Sequence, residues 1–566
     1  MGLVSELRRR NVLRMAVLYA VAAWLIMQVA EVVIGLANLP EWIGPTILGL
    51  LAVGFPIALI LSWFYELTPE GMKLEKDVDA AESITHITGR RLDFVVISML
   101  CAAVVLFAYD KWWTSPPPEQ SIAVLPFENM SDDASNEHFS DGISEEILNL
   151  LTSVPELQVT SRSSAFSFKG QNVDVPTIAA KLNVAHVLEG SVRKSGNQLR
   201  ITAQLVEVES DSHLWSNTYD REMKNVFAIQ DDIAAAVVNA LKTTLTGKTP
   251  QAKETSPEAY ALYLQARHLI KQRNSQNYDL AETLLKDALS LDPGYAPAWV
   301  ELADFYMSPA FGGDMSFDEN FQRARHAIEQ ALAIDPEYGA ALKAMAKVEM
   351  NYEWNFAAAN EYLGRALKKS PNDPRFLVLA ARLNRVLGRR DEAVQLSRRA
   401  VALDPVSPTN RYALGIYLYI SNHPQEAIDQ LRTALVLSPE MSLVRFDLGM
   451  MLLAQGDVEA ALAMVEQEYS EGFRLTGRAI VQHALGNVEA SEAALHELLA
   501  KHEKLFAYQI ASIYAFRNEV DKAFFWLERC YDIHDAVNEM LVDPLLRNLH
   551  DDPRWEPFLD KMGLPY

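Results

Sequence analysis

The chain has 566 residues, of which 49% are hydrophobic and 22% charged, and a formal net charge of -23. That length exceeds one ordinary domain, and so negative a body repels phosphate backbones, which excludes broad-surface binding to DNA or RNA. Only Cys101 and Cys530 are present; a four-cysteine zinc site is excluded, and with Cys101 in an apolar run no internal disulfide is expected in the soluble part.

Three apolar segments open the chain, at about 12–36, 43–67 and 92–109. Each approaches the length that crosses a hydrocarbon core, and Trp42, Trp63, Tyr65, Trp112 and Trp113 fall at their ends. Arg8, Arg9, Arg10 and Arg14 precede the first segment, and Lys73, Lys76, Arg90 and Arg91 stand between the second and third. The positive-inside rule therefore predicts a membrane domain over 1–113 with three transmembrane helices, in the inner (plasma) membrane, with a cytoplasmic N-terminus and everything after residue 113 periplasmic. Residues 1–115 hold 9 basic and 11 acidic side chains, so about -21 of the charge lies beyond Ser115.

A Pro-rich linker, 114–120, leads into a unit at 121–246. There SIAVLPF reads as a strand, ISEEILNLL as a helix, LQVTSRSSAFSF as strand-like and VPTIAAKLN as a helix. Three strands follow across HVLEGSVRKSGNQLRITAQLVEVESDSHLWSNTYDRE, and FAIQDDIAAAVVNALK closes the unit as a helix. The expectation is a small α/β (α+β) domain: a mixed sheet with helices on one face. The loop ENMSDD has no glycine-rich turn and no lysine to cradle a phosphate, so Asn129, Ser131 and Asp132 read as turn formers. His138, His186 and His213 are far apart in sequence. No catalytic residue, metal site or cofactor is predicted.

SIAVLPFENMS, DGISEEI, VTSRSS, VLEGSVRKSGNQLRITAQL and LWSNTYDRE together resemble the TolB amino-terminal-like (FlgO-type) domain of bacterial envelope proteins. The resemblance implies a non-catalytic sensing or protein-binding module, which in that family often precedes tetratricopeptide repeats. SELRRRNV and FPIALILSWFYELTPEG resemble a membrane module joined to the same pair of domains. Only eleven residues precede the first apolar segment, so the winged-helix or cyclase output of better-known relatives is not expected.

From about Ser256 the chain repeats. DALSLDP, QALAIDP, RALKKSP, RAVALDP and TALVLSP end at Pro293, Pro336, Pro371, Pro405 and Pro439, at spacings of 43, 35, 34 and 34. A 34-residue period with small residues at fixed places is the tetratricopeptide signature. Ala359, Ala393, Ala427 and Ala461, then Ala366, Ala400 and Ala434, with Gly415 and Gly449, fill the close-packing positions. An all-α superhelix of about seven repeats is predicted over 256–535, with a C-terminal capping segment at 536–566. The groove register places Asn351, Tyr352, Arg375, Arg382, Arg385, Tyr412 and Tyr419 on first helices, a basic stripe flanked by tyrosines. That stripe suits acidic peptides of a protein partner. The sequence thus reads as a non-catalytic, membrane-anchored interaction scaffold, with relay of a periplasmic signal to a cytoplasmic protein as the alternative.

Overall fold

The computed structural model describes residues 43–68, 71–74, 118–131, 133, 136–171, 173–241, 252–272, 277–308, 317–533 and 540–564, with scattered residues between 16 and 27. Met1–Pro116 and Pro117–Tyr566 are separate compact units.

In the first unit, helix α1 (Ile43–Phe64) leads into an antiparallel hairpin of β1 (Tyr65–Thr68) and β2 (Gly71–Leu74). The predicted set of three transmembrane helices is not what the structure shows. Among the described residues no helix is long and apolar enough to cross a membrane. Of the segment predicted at 43–67, Ile43–Phe64 forms α1, with Pro56 inside it, and the chain turns into strand at Tyr65. The segment at 92–109 and most of 12–36 lie outside the described residues. The multi-pass inner-membrane placement, with its periplasmic body, falls with the transmembrane helices.

The second unit begins with a mixed sheet. β3 (Ser121–Val124), β4 (Glu128–Asn129), α2 (Glu137–Thr152), β5 (Gln158–Val159), α3 (Arg162–Phe166) and α4 (Val175–Leu182) are followed by β6 (His186–Ser195), β7 (Gln198–Glu207), β8 (Ser212–Glu222) and α5 (Val226–Ala240). The strand order is β5-β3-β6-β7-β8, with β3 parallel to β5 and β6, and β6-β7-β8 antiparallel. Alternation along β3 sends Ile122 and Val124 into the core under α2 and α5, while Ala123 and Leu125 join Ile178, Ala179 and Leu182 of α4. Helices therefore cover both faces of the sheet around β3 and β6, not one. LQVTSRSSAFSF yields only a two-residue strand, because the Ser161 hydroxyl accepts from the Ser164 amide and starts α3.

Eight antiparallel helix pairs follow among the described residues. They are α6 (Pro257–Lys271) with α7 (Tyr278–Leu291), α8 (Ala296–Tyr306) with α9 (Phe317–Ile334), α10 (Gly339–Asn351) with α11 (Phe356–Lys369), and α12 (Pro374–Val386) with α13 (Arg390–Leu403). Then come α14 (Pro408–Ile420) with α15 (Pro424–Leu437), α16 (Val444–Ala454) with α17 (Val458–Val465), α18 (Glu471–Ala484) with α19 (Val488–His502), and α20 (Ala507–Phe516) with α21 (Val520–Asp532). Ala359, Ala393, Ala427 and Ala461 are fully buried where paired helices meet. A Cβ at Gly415 would meet the Leu431 side chain and lie 3.1 Å from the Ala427 carbonyl oxygen, so only glycine permits that approach. The chain ends with α22 (Trp555–Lys561), buried through Trp555, Phe558 and Leu559.

The sheet has its own close approach at Gly190 on β6, where a Cβ would collide with the Thr202 carbonyl oxygen and stand 2.9 Å from the Phe127 ring. Gly190→Ala is expected to lower stability by about 1–3 kcal/mol through overpacking, read as a lower urea midpoint for the full chain. An unchanged midpoint would show that the two strands separate freely.

Candidate functional site

The α/β domain and the helical array meet at α6. Ser256 caps this helix, its hydroxyl accepting from the Ala259 amide at 3.1 Å, and Pro257 fills the first turn. Tyr260, Tyr263, Leu264, Arg267 and Lys271 recur at helical spacing and share one face. Onto that face α2 lays Phe139 and Gly142. A Cβ at Gly142 would lie 2.5 Å from a Leu264 methyl, so the glycine lets the two helices approach closely. Phe139 and Phe227 meet the Tyr260 ring edge-on at 6.4 and 4.9 Å, and Gln230 Nε2 donates to the Tyr260 hydroxyl at 2.9 Å.

The charged part of the joint centres on Arg267, whose side chain is only 10% exposed. Its Nη1 donates to Glu146 Oε1 at 2.9 Å and its Nη2 to Glu145 Oε1. Its Nε stands 3.1 Å from Glu301 Oε2 of α8, an ion-pair contact and not a directed hydrogen bond. One guanidinium thus holds three carboxylates, two from the α/β domain and one from the second helix pair. Glu145 in turn receives Arg162 Nε at 2.8 Å and Lys271 Nζ at 2.5 Å.

Burial pushes the Glu145 pKa up, but Arg267, Lys271 and Arg162 outweigh it and hold the carboxyl at about 2. Glu146 and Glu301 go the other way: burial raises both, and Arg267, already shared, only partly offsets it. Burial, with Arg267 beside it, pushes Lys271 down to about 8.

Further contacts lie along the edge of the array. Asn372 Nδ2 donates to the Pro155 carbonyl at 2.9 Å, Arg375 Nη1 to Asn149 Oδ1 at 3.2 Å, and the Ser164 hydroxyl to Asp404. Next to them, Asp304 lies between Lys343 at 3.7 Å and Lys347 at 3.1 Å.

Each of the residues placed in the groove by sequence has a partner within the chain. Arg375 is engaged by Asp373 at 2.7 Å as well as by Asn149. Arg385 is buried, with its guanidinium 5.9 Å from the Tyr417 ring centre, and Arg382 is half-buried on the same helix. Tyr352 stacks on Phe321 at 5.0 Å, and Asn351 closes α10 beside it. The Tyr412 hydroxyl donates to Asp447 at 2.6 Å. Tyr419, its pKa raised by burial, sits within electrostatic range of Arg547 and Asp543 in the C-terminal segment. That segment also reaches the middle of the array: a Cβ at Gly563 would lie 3.3 Å from the Trp354 carbonyl, and one at Gly388 3.4 Å from Leu541. Sequence reasoning missed Arg267 and Lys271, although tyrosines and cations on one face of PEAYALYLQARHLIK carry the same signature as the stripe further on.

At the end of β4, Asn129 Oδ1 accepts from the Ser131 amide at 3.0 Å and Ser131 Oγ from the Lys194 amide at 2.9 Å. The first is a turn contact and the second ties the segment to β6; Asp132 lies outside the described residues. Among the described residues no group of three His, Cys, Asp or Glu side chains is placed to hold a metal.

Residues 355–408 and 412–472 match the tetratricopeptide repeat model. The chain carries tetratricopeptide repeats. Residues 118–236 match the HilA/YgeH-like transcriptional regulator, second domain. A curated relative, "Putative adenylate cyclase 3" of Rhizobium meliloti (strain 1021), is 40% identical over 196 residues, covering 33% of each chain. The chain therefore spans about a third of the length of the curated relative it matches. Among solved structures, Pseudomonas aeruginosa pilF is similar at 18% identity and a TM-score of 0.31, over 40% of this chain and 98% of that one. A thermophilic tetratricopeptide repeat protein of Thermus thermophilus is similar at 20% identity and a TM-score of 0.29, over 34% of this chain and 99% of that one.

The charge pattern fixes a pH dependence. Glu145 has a folded-state pKa of about 2, below its ordinary value. Its contribution is complete above the unfolded value and fades as pH falls toward 2. Denaturation of the wild type and Glu145→Gln from pH 5 to pH 2 is expected to show a stability gap that narrows on acidification. A gap that stays constant would remove Glu145 from the ion-pair network.

Proposed function

We propose that the protein is a non-catalytic scaffold whose tetratricopeptide array recruits protein partners, with the α/β domain seated on its first helix pairs as a fixed part of the binding surface. The observation that carries this reading is the stack of eight helix pairs among the described residues from Pro257 to Asp532, an architecture whose extended faces serve protein binding. The resemblance of 121–246 to the TolB amino-terminal-like domain supports a binding module over a catalytic one. So does the use of two carboxylates of that domain, Glu145 and Glu146, in holding the array. Carboxylate-bearing peptides are the partner class, because the cations of the array's first helices already take carboxylates wherever these reach them, as Arg267 and Lys271 do. No cofactor enters the proposal. The name of the Rhizobium meliloti relative suggests a nucleotide cyclase, but that similarity is confined to a third of each chain.

Crosslinking in intact cells, followed by reconstitution with each purified candidate, tests the reading. The expected result is a stoichiometric complex of the full chain with at least one protein and no conversion of ATP to cyclic AMP by the purified chain. Cyclase turnover with no reconstituted complex would overturn it.

A further inference from the structure

We infer that the face of α6 carrying Tyr260, Tyr263, Leu264, Arg267 and Lys271 is a receptor for one class of ligand, an amphipathic helix bearing adjacent glutamates, and that α2 is its resident occupant supplied by the same chain. The contact has the parts of helix-in-groove recognition. Phe139 and Ile143 supply the apolar anchors, both fully or almost fully buried. Gly142 sets the approach distance, since a Cβ there would lie 2.5 Å from Leu264. Glu145 and Glu146 both converge on Arg267, and Glu145 also takes Lys271 at 2.5 Å.

The joint couples a continuous hydrophobic core to a charged cluster. Beside the apolar contacts three carboxylates gather on the buried Arg267, with Lys271 partly exposed at the edge, an arrangement that gives specificity and a partner-dependent register. Arg267 also keeps a contact with Glu301 of α8 at 3.1 Å, so the receptor charge is held in place from the array side without α2. Tethering makes the resident helix a strong competitor through its high local concentration. A helix arriving from another protein must therefore carry the same elements: an aromatic residue, a glycine three positions on, a β-branched apolar residue next, then paired glutamates two and three positions beyond that. Such a helix would compete with α2 for the α6 face and uncouple the α/β domain, α2 included, from the array. The inference draws on the scaffold reading only for its biological use; the recognition chemistry stands on the joint itself.

The test uses a fluorescent peptide of residues 137–152 and the full-length Glu145→Gln, Glu146→Gln double variant, whose own α2 is weakened without a charge reversal. The peptide is expected to bind this variant about tenfold or more tightly than the same peptide with both glutamates changed to glutamine, a difference of one decade in Kd. It is expected to bind the wild-type chain more weakly than the variant, because the resident helix competes. Equal binding of the two peptides to the variant overturns the inference, as does no binding of either. Should the double variant fail to fold, the wild-type chain decides the matter. Excess peptide is then expected to speed amide exchange over 137–152 while 257–271 stays protected, and unchanged exchange over 137–152 overturns the inference. Failure here leaves recruitment by the rest of the array intact. Normal peptide binding with no reconstituted complex would instead reject the scaffold reading alone.

Discussion

The body of the molecule depends on one buried guanidinium. Arg267 carries an ion-pair contact with Glu301 of the second helix pair and hydrogen bonds to Glu145 and Glu146 of the α/β domain. Removing water from so many charges is costly, and only their mutual pairing offsets it. The arrangement explains why neighbouring carboxylates diverge. Glu145, served by three cations, is held low, while Glu146 and Glu301, left with shares of Arg267, are raised by burial. The α/β domain is thereby a fixed neighbour of the first repeats.

Around this joint the array is ordinary in its physics. Small residues at a 34-residue period let paired helices approach, and a Cβ at Gly449 would lie 2.5 Å from a Val465 methyl. The chain also packs against parts of the array itself. The α/β domain takes Asn372, Arg375 and Asp404, and the C-terminal segment lies against Gly388 and Trp354. Sequence position on a first helix is therefore not enough to make a side chain available to a partner.

Much of the fold was legible because it is periodic. The alanines and prolines of the repeats state their own spacing, and the alternation in SIAVL and in QLRITAQL states the strands. What was not legible rests on contacts distant in sequence. Arg267 finds Glu145 and Glu146 across more than a hundred residues, and no local pattern announces that meeting. Arg375, Arg382 and Arg385 drew attention as a stripe on one helix, yet packing turns Arg385 inward onto Tyr417. The apolar segments differ for another reason: hydropathy reads composition alone, and of the segment at 43–67 only Ile43–Phe64 is helix before the chain turns into strand at Tyr65. In the α/β domain, LQVTSRSSAFSF has the composition of a strand, and a single serine cap turns its second half into α3.

A double-mutant cycle between Arg267→Ala and Glu145→Ala, measured by urea denaturation of the full chain, tests the central claim most directly. With the guanidinium as the link between domain and array, the two substitutions are predicted to couple by about 1–3 kcal/mol, because either one alone already breaks the joint. Effects that add to within about 0.5 kcal/mol would contradict the account.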